Sequence, residues 1–342
     1  MRVLLHDNQI CERGTTTSML DYGRALRSRG HEVEIAYWTE SSANVPDLID
    51  RVRQEFPLHG HNKPDSLPPY LRNFDATYLI KAGGNDGLLL PDSFNLVHAV
   101  FQEYDPHGSR YAYISKWVAQ AVRKEVGKRG KQQLRKRGET AISLGCSNAL
   151  AFDYLNLIVD VPDPQPGMRQ QLGIPDEAFL ILRFGGFDTF DIGWARDTVV
   201  RLLDENSHWY FVGLNTEPFT EHRRAKFLPL VSDSVEKASI IASADVFLTA
   251  RGHGEAFGVA IAEALQIGIP VLAWNGGIDQ NHVSMLHGLG GLFKRPWDLR
   301  KKLHRLGRGE DPSSPVTRQK RGDQYRPETI GPVLEHMLES PA

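Results

Sequence analysis

Short apolar runs alternate with stretches whose apolar positions recur every three or four residues along most of the chain. That alternation predicts βαβ units and parallel sheets, an α/β fold. RVLLH at 2–6 predicts a first strand, and the polar loop DNQICERGTTTS follows it. Met19, Leu20, Tyr22, Ala25 and Leu26 then fall on one face of a helix that Gly30 stops. VEIAYW at 33–38, ATYLI at 76–80, NLVHAVF at 95–101 and YAYIS at 111–115 predict further strands. The Pro-rich, His-containing stretch 46–69 carries no clear period. Segment 117–139 reads as one helix, and AISLGCS after it as a strand and turn. VDVPDPQPG at 159–167 is dense in Pro and Asp and predicts a hinge between domains.

Beyond that hinge the alternation starts again. FLILRFGGF, HWYFVGL, DVFLTAR and PVLAWNGG predict strands, and DTVVRLL, SVEKASIIASA and AFGVAIAEALQI predict helices. From about 308 to 327 the chain turns polar, basic and Pro-containing, which predicts a loop, and PETIGPVLEHMLES predicts a closing helix. The chain shows no repeat at a solenoid period.

A length of 342 residues suits two domains. Hydrophobic residues at 41% and charged residues at 24% are ordinary globular usage, which argues against disorder. A formal charge of −2 gives no global attraction to nucleic acid or membrane. Cys11 and Cys146 form no CxxC pair, which argues against a disulfide scaffold or a structural zinc and for a reducing compartment. Val3-Leu4-Leu5 is too short for a signal peptide, and no stretch approaches the roughly 20 apolar residues of a membrane span. The expectation is a soluble cytoplasmic protein, at most peripheral at a membrane. No G-x-G-x-x-G follows the first strand, which argues against a Rossmann dehydrogenase.

The segment richest in chemistry is RGHGEAFGVAIAEALQIGIPVLAWNGG, residues 251–277. The strand before it delivers the chain to the carboxyl end of a sheet, where ligands bind in open α/β folds. Gly252, Gly254 and Gly258 surround Glu255 just before a helix. Small residues admit a ligand close to the backbone, and the unpaired N–H groups of a helix start favour a diphosphate. Glu263 lies about two turns deeper. Glu255 can therefore face a sugar, while Glu263 reaches ribose hydroxyls. The bland alternative is a core face of Ala260, Ile261, Ala264 and Leu265 with Glu263 simply solvated.

Glu255, Ala256, Phe257 and Gly258, the second glutamate Glu263 and the G-x-P-V strand together resemble the donor site of glycosyltransferase family 4. The Gly-Gly turn in WNGG at 274–277 adds to the likeness. YLIKAGGNDG at 78–87, NLVHAVF and PHG at 106–108 resemble a subgroup of that family found in viruses, phages and some bacteria. The resemblance implies a GT-B fold, two Rossmann-like domains with a cleft between them. Residues 1–158 would form the acceptor domain, 159–325 the nucleotide-sugar donor domain and 326–342 a closing helix. The implied activity is retaining transfer of a sugar from a UDP- or GDP-type donor to a hydroxyl of a glycan or of a lipid- or protein-linked sugar. The implied chemistry uses no metal or other cofactor, and the chain shows no Asp-x-Asp motif on a loop beside a strand.

Residue by residue, the candidate catalytic groups are Glu255 and His98, from the resemblance, and Arg251, as a charge that could replace the family's basic pair. The donor candidates are Gly14, Thr15, Gly186, Gly254, Ala256, Phe257, Gly258 and Glu263, with Arg183 and His253 as substitute charges, and the acceptor candidates are Lys81, Asn85 and Asp86. Arg13-Gly14-Thr15-Thr16 occupies the place of the family's glycine loop over the diphosphate; on its own it reads as a plain helix cap. His98 also reads as a core histidine. One departure stands out. The family's diphosphate-gripping Arg and Lys align with Gly186 and Asp191, so Arg183, Arg251 and His253 are the candidate replacements.

The basic run Arg123, Lys124, Lys128, Arg129, Lys131, Arg135, Lys136 and Arg137 has three readings: a solvated face, an anionic membrane contact or a nucleic-acid contact. No aromatic residues interleave it, so nucleic acid ranks last. Two alternatives to this reading stay open: a sugar-nucleotide-binding protein without transfer activity, and a nucleic-acid-modifying glycosyltransferase.

Overall fold

The computed structural model describes residues 1–11, 14–63, 67–68, 70–128 and 130–339. The chain divides into two compact units, Met1–Val159 with the segment from Tyr325 onward, and Asp160–Gln324.

The first unit is built on a seven-stranded, all-parallel sheet in the order β3-β2-β1-β4-β5-β6-β7. Its elements are β1 (Arg2–Asp7), α1 (Gly14–Ser28), β2 (Glu32–Trp38), α2 (Pro46–Glu55), β3 (Leu58–His61), β4 (Ala76–Lys81), β5 (Phe94–Ala99), β6 (Arg110–Tyr113), α3 (Lys116–Lys128), α4 (Lys131–Ser143) and β7 (Asp153–Tyr154). β1 and β4 are buried along nearly their whole length, as central strands covered on both faces must be. Strand order reverses between β1 and β4, the kind of switch point at whose carboxyl ends open α/β folds bind ligands.

The second unit repeats the plan with a six-stranded parallel sheet, β10-β9-β8-β11-β13-β15. In chain order it comprises α5 (Met168–Gln171), β8 (Phe179–Phe184), α6 (Gly193–Glu205), β9 (Trp209–Leu214), β10 (Ala225–Leu228), α7 (Ser234–Ala242), β11 (Val246–Thr249), β12 (Gly254–Glu255), α8 (Val259–Ile267), β13 (Val271–Trp274), β14 (Asp279–Gln280), α9 (Asn281–Met285), β15 (Leu292–Phe293), α10 (Pro296–Gly307) and α11 (Pro315–Gly322). Its reversal lies between β8 and β11. One core of Ile181, Phe190, Val199, Leu202, Phe211, Leu248 and Phe293 joins the sheet to α6 and α10.

The last helix, α12 (Pro327–Leu338), expected as a segment of its own, belongs to the first unit. It packs on α1, and Glu335 accepts from Arg29 Nε at 2.7 Å and pairs with His31 at 2.8 Å.

Several elements differ from the sequence reading. Segment 117–139 is two helices, and Gly130 caps the second with a left-handed φ of +72°. AISLGCS is no strand: Ala141–Ser143 ends α4, and the edge strand β7 comes ten residues later than α4's end. The stretch 308–327 is not a loop throughout. Ser314 caps α11 with Pro315 at its first position, and Arg318 is buried there, donating to Gly268 O at 2.7 Å and pairing with Asp311 at 2.8 Å. The unassigned stretch 46–69 holds α2 and β3; Pro64, Asp65, Ser66 and Pro69 lie outside the described residues.

Candidate functional site

In the second unit, Arg183 near the end of β8 is only 2% exposed. Its Nη2 donates to Thr189 Oγ1 at 2.7 Å, its guanidinium lies 5.7 Å from the centre of the Phe190 ring, and its Nε has no partner among the described residues. Burial draws its pKa down to about 10; Glu255 opposes that drop and Arg251 adds to it. No carboxylate pairs directly with this buried cation among the described residues, so it is poised to take an anion.

Arg251, just past β11, donates from Nη1 to Glu255 Oε2 at 2.9 Å. Burial raises the Glu255 carboxyl above its usual range, while both arginines pull it down and Asp279 pushes it further up. The two arginines and Glu255 thus form one electrostatic group at the carboxyl ends of β8 and β11. The loop between them is held from behind. Asp191 Oδ1 accepts from Gly252 N at 2.6 Å, and His253 Nε2 lies 3.2 Å from Asp279 Oδ2. Asp191, which aligns with the family's lysine, therefore fixes the loop, and the carbonyl of Gly186 is taken by the Thr189 hydroxyl at 2.8 Å.

Gly254 has φ +81°, and a Cβ there would stand 1.9 Å from the Asp279 carbonyl oxygen. That close approach, β12 against β14, requires glycine. Gly258 caps α8 at φ +100°, leaving Val259 and Ala260 only half-buried at the helix start. Phe257, expected at the donor, is 3% exposed and its carbonyl accepts from Asn281 Nδ2 at 2.7 Å, so its ring packs the core; Ala256 is half-buried. Glu263 lies one turn into α8. Its Oε1 accepts from Lys237 Nζ at 2.6 Å, and its buried Oε2 has no partner among the described residues.

In the first unit, Gly14 opens α1 exposed, Thr15 is half-buried and Arg13 lies outside the described residues. Thr16 is buried and donates to Asp7 Oδ2 at 2.9 Å. Burial lifts Asp7 to about 6 against the hydrogen bonds from Thr16 and Thr15. Lys81 ends β4, and its three donors are all used, on the Asp86 carboxylate, on Leu88 O at 2.7 Å and on His107 Nε2 at 3.3 Å. His107 Nδ1 donates to Asp105 O at 2.7 Å, which leaves Nε2 bare to accept from Lys81. Lys81 therefore anchors the loop 82–88 and has no proton to spare for a ligand. Asn85 sits exposed on that loop, its Oδ1 accepting from Gly87 N at 3.0 Å.

The structure corrects the expectation for His98. It is fully buried, its Nε2 donates to Leu155 O at 2.8 Å, and its Nδ1 accepts from Tyr78 Oη at 2.7 Å. Burial lowers it to about 4. Both nitrogens are spent, so His98 is a core histidine and not a catalytic one.

The sequence reading missed Asp7, His107, Lys237 and Asp279, and saw Asp191 only as the place of an absent lysine, not as the acceptor that holds Gly252. PHG at 106–108 was the one signal available, since a histidine between Pro and Gly marks a fixed turn. Lys237 carried none, being one of many helix lysines.

No family model and no curated protein matches the sequence. Solved structures match it over nearly its full length. HepE of Anabaena, in complex with UDP and glucose, gives a TM-score of 0.67 at 15% identity, covering 99% of both chains. A glycosyltransferase from Rickettsia africae gives 0.68 at 12% identity, over 98% of this chain and 97% of that one. The catalytic domain of starch synthase IV from Arabidopsis thaliana, bound to ADP and acarbose, gives 0.61 at 12% identity, over 99% and 98%. The chain has the fold of the GT-B glycosyltransferases.

Proposed function

We propose that the protein is a retaining glycosyltransferase of the family 4 type, which moves a sugar from a nucleoside-diphosphate sugar to a hydroxyl acceptor. One observation carries this reading: Arg183 and Arg251 stand with Glu255 at the strand ends that precede a glycine-started helix bearing Glu263. Two guanidinium groups and the first amides of α8 supply the positive charge a departing diphosphate needs. Their position compensates for the basic pair that the family places at Gly186 and Asp191. Glu255, held by Arg251, orients the sugar, and Glu263 takes the ribose. Structures with this fold hold UDP with glucose, and ADP with acarbose, which supports a nucleotide donor.

The arginines make a divalent cation unnecessary in this reading, so transfer is expected to run equally well in EDTA and in Mg²⁺. The deciding experiment is a thermal-shift panel with UDP, GDP and ADP, followed by assay of nucleotide release from the matching donor. Stabilisation by one diphosphate, lost about tenfold in affinity in Arg251→Ala, supports the reading. Binding without release in the presence of any sugar acceptor selects the inactive sugar-nucleotide binder, and no stabilisation at all overturns both.

The exposed bases of α3 and α4 extend the proposal to the site of action. Arg123, Lys124, Lys128, Lys131, Arg135, Lys136 and Arg137 are all exposed, Arg129 lies outside the described residues, and Leu144 just beyond the run is 81% exposed. We assign this hairpin to an anionic membrane surface. No helix among the described residues is long and apolar enough to cross a membrane.

A further inference from the structure

The ion pair of Lys237 and Glu263 joins α7 to α8, and the two oxygens of its carboxylate differ sharply. Oε1 accepts from Lys237 Nζ at 2.6 Å, while Oε2 is buried without a partner among the described residues. A buried carboxylate oxygen left bare is a costly arrangement unless something supplies a donor. The lysine is itself fixed. Its ammonium lies 5.6 Å from the centre of the Phe184 ring, and that ring is set against Phe247 at 4.3 Å. Asp233 caps α7 by accepting from Glu236 N at 2.7 Å, which sets the helix that carries Lys237. Phe184 is the last residue of β8, so the pair sits at the carboxyl end of that strand.

A free carboxylate on a helix rotates, and either oxygen can meet a ligand. Here the lysine claims one oxygen, stops the rotation and presents the other in a single direction. What fits that oxygen is a neutral O–H donor. A phosphate would be repelled by the carboxylate, and a second ammonium would compete with Lys237.

We propose that Lys237 is a positioning residue that turns Glu263 into a reader of ribose: by occupying Oε1 it leaves the buried, unpartnered Oε2 as the acceptor for a ribose hydroxyl, so that the chain selects ribonucleotides over deoxyribonucleotides. This rests on the donor-site reading of α8 given above. Lys237 touches Glu263 and not the nucleotide, so its loss acts through the carboxylate.

The test uses the full chain and isothermal titration with the nucleoside diphosphate that binds best among UDP, GDP and ADP, together with its 2′-deoxy and 3′-deoxy forms. Wild type is expected to prefer the ribonucleotide over one of the deoxy forms by about tenfold or more. In Lys237→Met the ribonucleotide weakens toward the deoxy form, whose affinity is unchanged, and the ratio falls to within about threefold. Lys237→Arg restores it. Lys237→Gln and Glu263→Gln serve as second variants if the methionine form fails to fold, and both are expected to lose the discrimination. If the pair were only a staple between helices, Lys237→Met would lower the melting temperature and leave the ratio intact. That result overturns this inference alone, while a wild type that binds nucleotide without discriminating ribose overturns it and also removes Glu263 from the ribose, leaving Arg183 and Arg251 at the diphosphate. A wild type that binds no nucleoside diphosphate overturns the donor-site reading and this inference with it.

Discussion

Asp7 shows what a single buried acid implies. It is 4% exposed at the end of β1, and burial lifts its pKa from 3.8 to about 6. A raised carboxyl stabilises the fold fully below pH 3.8 and loses that contribution as pH rises through about 6. At pH 8 the charge therefore costs about 3 kcal/mol, from a shift of roughly two units. Asn keeps an oxygen that can accept from Thr16 and carries no charge. Asp7→Asn is expected to melt at the wild-type temperature near pH 4 and well above it at pH 8, the gap opening through pH 6. A gap of constant size across that range, measured by circular dichroism, would show that Asp7 is not charged at a cost. None of this was legible in the sequence, where Asp7 is one acid before a polar loop. The same holds for His98. NLVHAVF announced a strand, but Tyr78 and Leu155, which saturate the ring, arrive from other parts of the chain. The glutamates and glycines of 251–263 were legible because their roles depend on spacing along one segment.

Elements follow the same division. β1, β2, β4, β8 and β11 could be read from their apolar runs, since a central parallel strand is buried on both faces and announces itself. The hairpin of α3 and α4 could not, because Gly130 interrupts a pattern that polar residues on both sides continue. α11 was hidden by its composition. Its stability comes from Arg318 reaching Gly268 O and Asp311, and from packing on α8, where a Cβ on Gly322 would stand 2.6 Å from Gln266 N. The break at Gly130 matters for the proposed membrane contact, since it displays bases from two helices together with Leu144. Flotation with vesicles of pure phosphatidylcholine should leave the protein unbound, whereas vesicles with about a third phosphatidylglycerol should carry it. Replacing Lys128, Lys131, Arg135 and Lys136 by Glu is expected to abolish that binding, with a weaker loss for Leu144→Ser. Flotation with neither vesicle type would assign the run to a solvated face, and equal flotation with both would overturn the role of its charge.

Across the whole molecule, each unit carries its own parallel sheet and its own buried core. The chain passes between units at Val159–Asp160 and again at Gln324–Tyr325, and the Val159 amide donates to Tyr325 O at 2.8 Å, so both passages leave the first unit side by side. A unit with a complete core can melt cooperatively by itself, so heating is expected to depart from a single two-state transition. Arg183, Arg251, Glu255, Lys237 and Glu263 all belong to the second unit. Nucleotide should therefore raise the transition of that unit while leaving the other near its ligand-free temperature. At a hundred times Kd the gain is about 2.7 kcal/mol, which for a unit of this size moves the midpoint by roughly 5–10 °C. Differential scanning calorimetry with and without the best-binding diphosphate reads this directly. Hydrogen exchange identifies the responding unit through slower exchange in residues 183–191 and 251–263. Protection confined to the first unit would move the nucleotide away from α8 and overturn the assignment of Arg183 and Arg251, while leaving the two α/β units as described.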